Sequence, residues 1–97
     1  MTEVKLHKAL ELDGKTYDVL HFDFDKLSAK DFFKAEMDAR SLGEITSNIQ
    51  WGATYRAVVA ALACQENIKF EDIRDSLSFK DASSVTGAVG DFLLAED

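Results

Sequence analysis

Two histidines lie where a metal ion could bridge the strands of a hairpin. In a pairing with a bulge in the second strand, His7 falls opposite His21 on the polar face, and such a pair can bind a transition metal. Structural and catalytic zinc sites usually take three or four protein ligands. The nearest carboxylate, Asp23, is predicted to face Lys5 across the strands, which favours a surface ion pair. We therefore predict a solvated strand face and no metal site.

The other candidate reactive groups also lack the spacing that catalysis needs. An acidic series runs through the hairpin and into the next helix, formed by Asp18, Asp23, Asp25 and Asp31. It has neither the glycine nor the twelfth-position glutamate of a calcium loop, and no carboxylates paired as in a glycosidase. The single thiol, Cys64, lies in an alanine-rich helical stretch typical of a buried, inert cysteine. The prediction is a protein without catalytic residues or cofactors, and not an enzyme.

Composition limits the class of protein and its partners. The 97 residues suit one domain spanning positions 1–97, and an apolar content of 46% supports a single core. The net charge of −7 repels phosphate backbones and anionic lipids, so we expect no nucleic-acid or membrane partner. The N-terminus lacks the apolar stretch of a signal peptide, and the longest apolar run, 57–64, is too short to span a bilayer. These features predict a cytoplasmic protein.

Alternating apolar residues predict an N-terminal β-hairpin over about 3–25. Asp13-Gly14 lies between the two strands and favours a tight turn, because both residues adopt positive φ at little cost. A two-residue turn places Leu10 opposite Tyr17. The apolar phase of the second strand changes at Val19-Leu20, so we expect a β-bulge there. That bulge would pair Leu6 with Phe22 and Val4 with Phe24.

Helical periodicity and capping residues predict three to four helices after the hairpin, at about 29–42, 49–66, 70–77 and 79–94. Ser28 with Asp31, and Ser78 with Asp81, have the spacing of a reciprocal N-terminal cap. Gly43 is predicted to end the first helix in a left-handed conformation. The fold class predicted is therefore α+β.

Five large apolar residues are candidates for binding another protein. Trp51 and Tyr55 are four residues apart near a helix start, a spacing that more often places such a pair in the core. Three consecutive apolar residues, Phe92, Leu93 and Leu94, cover more than one side of the last helix. We expect part of this surface to remain exposed for a partner.

Several short motifs resemble a viral protein family. They are the run Leu10-Glu11-Leu12-Asp13-Gly14-Lys15-Thr16-Tyr17, the spaced residues Leu20, Phe22, Phe24, Leu27 and Lys30-Asp31, the alanine-rich helix from Tyr55 to Cys64, and the stretch from Gly90 to Leu93. Together they resemble the small tail assembly chaperones of phages, and the resemblance covers most of the chain. It implies a non-catalytic protein that binds the tape measure protein and keeps it soluble until the tail tube polymerises.

The resemblance also implies where the protein acts and with what. It places the chain in the cytoplasm of the bacterial host and outside the mature virion, as a monomer or small homo-oligomer. Further partners implied are the tail tube protein and a longer, frameshifted form of the chain itself. Two alternatives remain open: a structural subunit of a phage or prophage tail or neck, and a small cytosolic adaptor that binds another protein through Trp51 and Leu93.

Overall fold

A two-stranded antiparallel hairpin is followed by four helices in the computed structural model, which describes residues 1–95. Strand β1 covers Thr2–Leu12 and strand β2 covers Lys15–Phe22. The turn residues Asp13 and Gly14 both have positive φ, 52° and 80°. The α+β class and the tight turn predicted from Asp13-Gly14 are therefore confirmed.

The bulge of the hairpin lies in β1 and not in β2. Next to the turn Leu10 pairs with Tyr17, as predicted, but further along Lys5 pairs with Val19. Residues 6–9 of β1 therefore face Asp18 alone. The predicted bulge at Val19-Leu20 is wrong. Wrong with it are the four pairings that it implied, which are Leu6 with Phe22, Val4 with Phe24, His7 with His21 and Lys5 with Asp23.

A carboxylate from the far end of the chain explains this bulge. The backbone N–H groups of His7 and Lys8 donate to the two oxygens of Asp81, at 2.7 and 3.0 Å. Asp81 lies 74 positions after His7 and is only 1% exposed. Backbone N–H groups that a bulge releases from the strand ladder need another acceptor. Asp81 supplies it, so a long-range contact selects the register.

The two predicted caps are used in different ways. At the first helix, the Asp31 carboxylate accepts from the Ser28 N–H at 2.9 Å, which confirms the predicted contact. At the last helix, the Ser78 hydroxyl accepts from the Asp81 N–H at 3.2 Å, while the Asp81 carboxylate serves β1. Only the first motif therefore has the predicted backward contact of the aspartate.

The helices lie close to their predicted positions, with one difference. They are α1 (Ala29–Ser41), α2 (Ala53–Ala63), α3 (Phe70–Ser76) and α4 (Phe79–Leu94), with short 3-10 turns at Phe24–Lys26 and Ile49–Trp51. Gly43, after α1, has the predicted left-handed conformation, with φ 102°. None of these helices, within the part of the chain described, is long and apolar enough to cross a membrane.

The predicted helix 49–66 is shorter at both ends. Its C-terminal part is extended and lies along β2: the Asp23 N–H donates to the Ala63 carbonyl at 3.0 Å, and the Gln65 N–H donates to the His21 carbonyl at 2.8 Å. Backbone groups that pair with a strand cannot continue the helical ladder. The helix therefore ends at Ala63.

A loop carboxylate caps the start of α2. Glu44 accepts from the Thr46 hydroxyl at 2.6 Å and from the Thr54 N–H at 3.1 Å. The hydrogen bond from the Thr46 hydroxyl is the main reason that the Glu44 pKa is lowered, although partial burial acts in the opposite direction. A Cβ atom at Gly52 would collide with this carboxylate. The absence of a side chain at Gly52 is therefore what allows Glu44 to reach the helix.

We expect Gly52→Ala to lower the free energy of unfolding by about 1–2 kcal/mol, because Glu44 must leave the first turn of α2. Gly87→Ala is the matched control. No atom lies within 4 Å of a Cβ at Gly87, so that change is expected to stabilise α4 by up to about 1 kcal/mol. Urea unfolding of both variants tests the cap. Equal effects at the two glycines would contradict it.

The core is centred on α2, which packs against α1 and α4, while α4 packs against β1. Alanines on the facing sides, Ala35 and Ala39 of α1 and Ala60 of α2, are fully buried. Small side chains let helix axes approach closely. This packing fixes the relative positions of α1, α2 and α4, and these three helices form the surface described next.

Candidate protein-binding surface

The residues that suggested metal or nucleophilic chemistry are separated or held by other contacts. His7 lies in the bulge of β1, whereas His21 pairs with Glu3. The Nδ1 atom of His21 is 2.6 Å from Glu66 Oε2, and the His21 N–H donates to Glu66 Oε1 at 2.8 Å. Among residues 1–95, no three histidine, cysteine, aspartate or glutamate side chains are grouped as metal ligands.

The Glu66 carboxylate fastens β2 to the chain after α2. Burial raises the pKa of Glu66, but the backbone and ring of His21 outweigh it and lower that pKa overall. The neighbouring Cys64 thiol lies 3.5 Å from the same carboxylate. Burial raises the pKa of Cys64, so the thiol remains protonated and is a poor nucleophile. This cluster therefore has a structural role.

An apolar cleft opens where the N-terminal end of α1, the middle of α2 and the C-terminal end of α4 meet. It has a volume of about 170 Å³. Its apolar lining consists of Leu27, Phe32, Tyr55, Val59, Leu62, Phe92 and Leu93. We call this feature the α4 cleft. It brings together Tyr55, Phe92 and Leu93, three of the five residues predicted from sequence as a protein-binding surface.

Stacked aromatic rings hold one wall of the α4 cleft in place. The Phe92 ring stacks on Phe24 with centroids 5.0 Å apart, and Phe24 stacks on Phe22 at 5.8 Å. Offset stacking of this kind adds to the gain from burial. The C-terminal end of α4 is therefore anchored to the hairpin, although Phe92 is 37% exposed.

Tyr55 lines the α4 cleft and carries a buried hydroxyl group. Its side chain is fully buried and its ring meets Phe32 edge-on at 6.1 Å. The hydroxyl has no hydrogen-bond partner among the described residues. Burial and then the charge of Glu36 raise the Tyr55 pKa, so the hydroxyl keeps its proton. A buried donor without an acceptor destabilises the free protein.

The other two predicted residues lie outside the α4 cleft. Trp51 is 56% exposed, and the guanidinium carbon of Arg56 lies 5.2 Å from its ring centroid. Arg56 Nε also donates to the Gln50 carbonyl at 2.7 Å, which fixes this pair beside the start of α2. Leu94, one residue beyond the lining of the cleft, is 54% exposed. The predicted residues thus divide between two places.

A second exposed apolar group lies on α1, and the sequence analysis missed it. Phe33 and Met37 are 63% and 73% exposed. They are four residues apart and share the side of α1 that points away from α2 with three basic residues, Lys30, Lys34 and Arg40. We call this group of five residues the α1 outer face. The signal available was the split of the apolar residues of α1 between two sides of the helix.

Comparisons of this chain with protein-family models, with curated proteins and with solved structures find no match. The geometry of the α4 cleft and of the α1 outer face, with the charge of the chain, is therefore what bears on function.

Proposed function

We infer that this chain is a non-catalytic phage tail assembly chaperone, which binds the tape measure protein and keeps it soluble until tail tube subunits polymerise. The observation that carries the proposal is the α4 cleft, an apolar cavity at the surface of the protein. The motif resemblance from Asp13-Gly14 onward adds to it.

The α4 cleft has the dimensions for one large apolar side chain. An engineered cavity of about 150 Å³ binds benzene, so a cleft of about 170 Å³ accommodates an aromatic or branched aliphatic group. An amphipathic helix of a tape measure protein presents such groups at regular spacing.

The net charge of the chain and the binding of several copies to one partner favour the same role. The −7 charge of each copy keeps an apolar partner coated by several copies in solution. A cleft this small gives a modest individual affinity, and several copies along one partner supply avidity while each copy can still leave. Reversible binding is required, because the tail tube protein displaces the chaperone in the cytoplasm of the host. A longer, frameshifted form of the chain would share the cleft.

The test is co-expression of this chain with the tape measure protein encoded downstream in its own genome. We expect the tape measure protein to stay soluble and to co-purify with several copies of the chain. Leu93→Ser, which places a polar group in the lining of the α4 cleft, should reduce the co-purified tape measure protein about fivefold. Tyr55→Phe should stabilise the free chain by about 1 kcal/mol, since it removes a buried hydroxyl that has no partner among the described residues. Phe79→Ser is the control, because Phe79 is 93% exposed and lies outside the cleft.

Three results would contradict the proposal. No rescue by folded wild-type chain, with the longer form also supplied, would show that the tape measure protein is not the partner. Incorporation of the chain into virions would favour a structural tail subunit. A one-to-one complex with a host protein would favour an adaptor.

A further inference from the structure

Three exposed basic residues lie beside the apolar pair of the α1 outer face. All three basic residues of α1 are exposed, whereas its carboxylates, on Asp31, Glu36 and Asp38, are at positions of intermediate exposure, and only Asp38 pairs with a basic residue of the face. This segregation occurs in a chain whose net charge is −7. The face is therefore opposite in sign to the molecule as a whole.

Helical spacing makes the α1 outer face continuous. Lys30 is three residues before Phe33, and Arg40 is three residues after Met37. Residues three and four apart are neighbours on a helix surface. The basic groups therefore lie at both ends of a central apolar pair, and a partner that covers the pair contacts them as well.

Among residues 1–95, an ion pair is formed by one of these three basic side chains. Lys34 has an exposed ion pair with Asp38 at 2.7 Å, a contact that is weak in water. Arg40 donates to the carbonyls of Glu44 and Thr46, at 3.1 and 2.7 Å, which are neutral acceptors. Ile45, between those carbonyls, is 91% exposed. It extends the apolar surface beyond the end of α1.

The internal packing of the protein does not explain this face. α1 contacts α2 through the opposite side, where Ala35 and Ala39 are fully buried. Phe33 touches the half-buried Phe32 edge-on at 5.5 Å and is otherwise largely in solvent. Large apolar side chains grouped on the surface and rimmed by charge are typical of an interaction site.

We propose that the α1 outer face binds an amphipathic helical segment of another protein whose apolar stripe is flanked by carboxylates. Apolar side chains of that segment cover Phe33 and Met37, and its carboxylates meet Lys30, Lys34 and Arg40. Charge complementarity supports this occupant over an anionic membrane. A peptide meets the face within a Debye length, whereas a membrane is an extended surface that also meets the rest of an acidic molecule.

This site is separate from the α4 cleft and does not require the partner to be a tape measure protein. It is tested with the full-length chain and a synthetic probe. The probe is an amphipathic helical peptide of about 21 residues, long enough to be helical in water, with leucine along one face and glutamate on both sides of it. A second peptide has lysine in place of every glutamate. Fluorescence anisotropy measures the binding of each.

We expect the glutamate peptide to bind, and the lysine peptide to bind at least about tenfold more weakly, because like charges would then face each other. Binding of the glutamate peptide should weaken as salt is raised. Phe33→Ser with Met37→Gln, or Lys30→Glu with Lys34→Glu, should each reduce it about tenfold. All four residues are exposed, so these variants are expected to fold normally.

Phe79→Ser with Lys80→Glu is the matched control, since it removes an exposed apolar residue and an exposed basic residue from α4. Circular dichroism confirms the fold of every variant. Equal binding of the two peptides, no binding of the glutamate peptide, or an equal loss in the α4 control would overturn the proposal. Binding to phosphatidylglycerol vesicles without binding to the glutamate peptide would also overturn it, in favour of a membrane.

Discussion

Asp81→Ala is expected to lower the free energy of unfolding by about 3–5 kcal/mol, which is a large share of the stability of a small domain. The carboxylate accepts from the His7 and Lys8 N–H groups and is itself buried. Its removal leaves two backbone donors of the bulge without their acceptor, and hydrogen bonds to charged groups are the stronger ones. Urea unfolding followed by circular dichroism measures the change.

Asp31→Ala is the natural control for this prediction. The two aspartates occupy the same place in similar segments, Leu27-Ser28-Ala29-Lys30-Asp31 and Leu77-Ser78-Phe79-Lys80-Asp81. Asp31 accepts only from Ser28, at the surface, so its loss should cost about 1 kcal/mol. Equal losses at Asp31 and Asp81 would show that the contact with the bulge contributes little.

The contribution of Asp81 should also depend on pH. Burial opposes its ionisation, but the His7 and Lys8 N–H groups outweigh this and hold the Asp81 pKa below its ordinary value. A carboxyl with a lowered folded-state pKa stabilises the fold above its unfolded-state pKa, and this stabilisation is lost as pH falls through the folded-state pKa. The gap in stability between wild type and Asp81→Ala should therefore narrow in acid. A difference in stability that does not change with pH would contradict an ionised Asp81 carboxylate bound to the β1 bulge.

Phe32→Ala is expected to destabilise the protein by about 2–4 kcal/mol, because it empties part of the contact between α1 and α2. The Phe32 ring packs against Tyr55 and lines the α4 cleft. Phe33→Ala provides the control, since the adjacent ring is 63% exposed. Its effect should lie within about 0.5 kcal/mol.

Thermal and urea unfolding of both phenylalanine variants measure this difference.

Ser28→Ala should lower the free energy of unfolding by about 1 kcal/mol, because it weakens the N-terminal cap of α1. Losses at Phe33 or at the exposed Lys34 that match the loss at Phe32 would mean that α1 presents a different side to the core.

Local signals predicted the parts of the fold that depend on a few neighbouring residues. Asp13-Gly14 gave the hairpin turn, because both residues tolerate positive φ. Ser28 marked the start of α1 and Gly43 its end, since both act within one turn of the helix. The bounds of α4 followed from its capping residue and its apolar period.

Two of the errors in the fold have long-range causes. The bulge lies in β1 because Asp81 accepts its released N–H groups. The helix α2 ends at Ala63 because residues 63–65 pair with β2. Neither partner is near in sequence, so periodicity within one segment could not reveal either contact.

Only part of the candidate surface could be predicted from the sequence, because the rest depends on contacts between distant segments. Phe92 and Leu93 stood out as consecutive apolar residues that cannot all be buried by one helix side. Their convergence with Tyr55 depends on how α2 and α4 pack. Phe33 and Met37 are exposed because they lie on the side of α1 that faces away from α2, a position that follows from a plot of that helix by angle.

The contact between Asp81 and β1 also bears on the order in which the chain folds. The N-terminal hairpin is synthesised first, but the acceptor for its released N–H groups arrives only with α4. A hairpin formed earlier gains nothing from the bulge, so an even pairing outward from the Asp13-Gly14 turn is the arrangement open to it. We therefore expect the native register to be completed only when α4 docks on β1, because contacts between residues far apart in sequence form slowly.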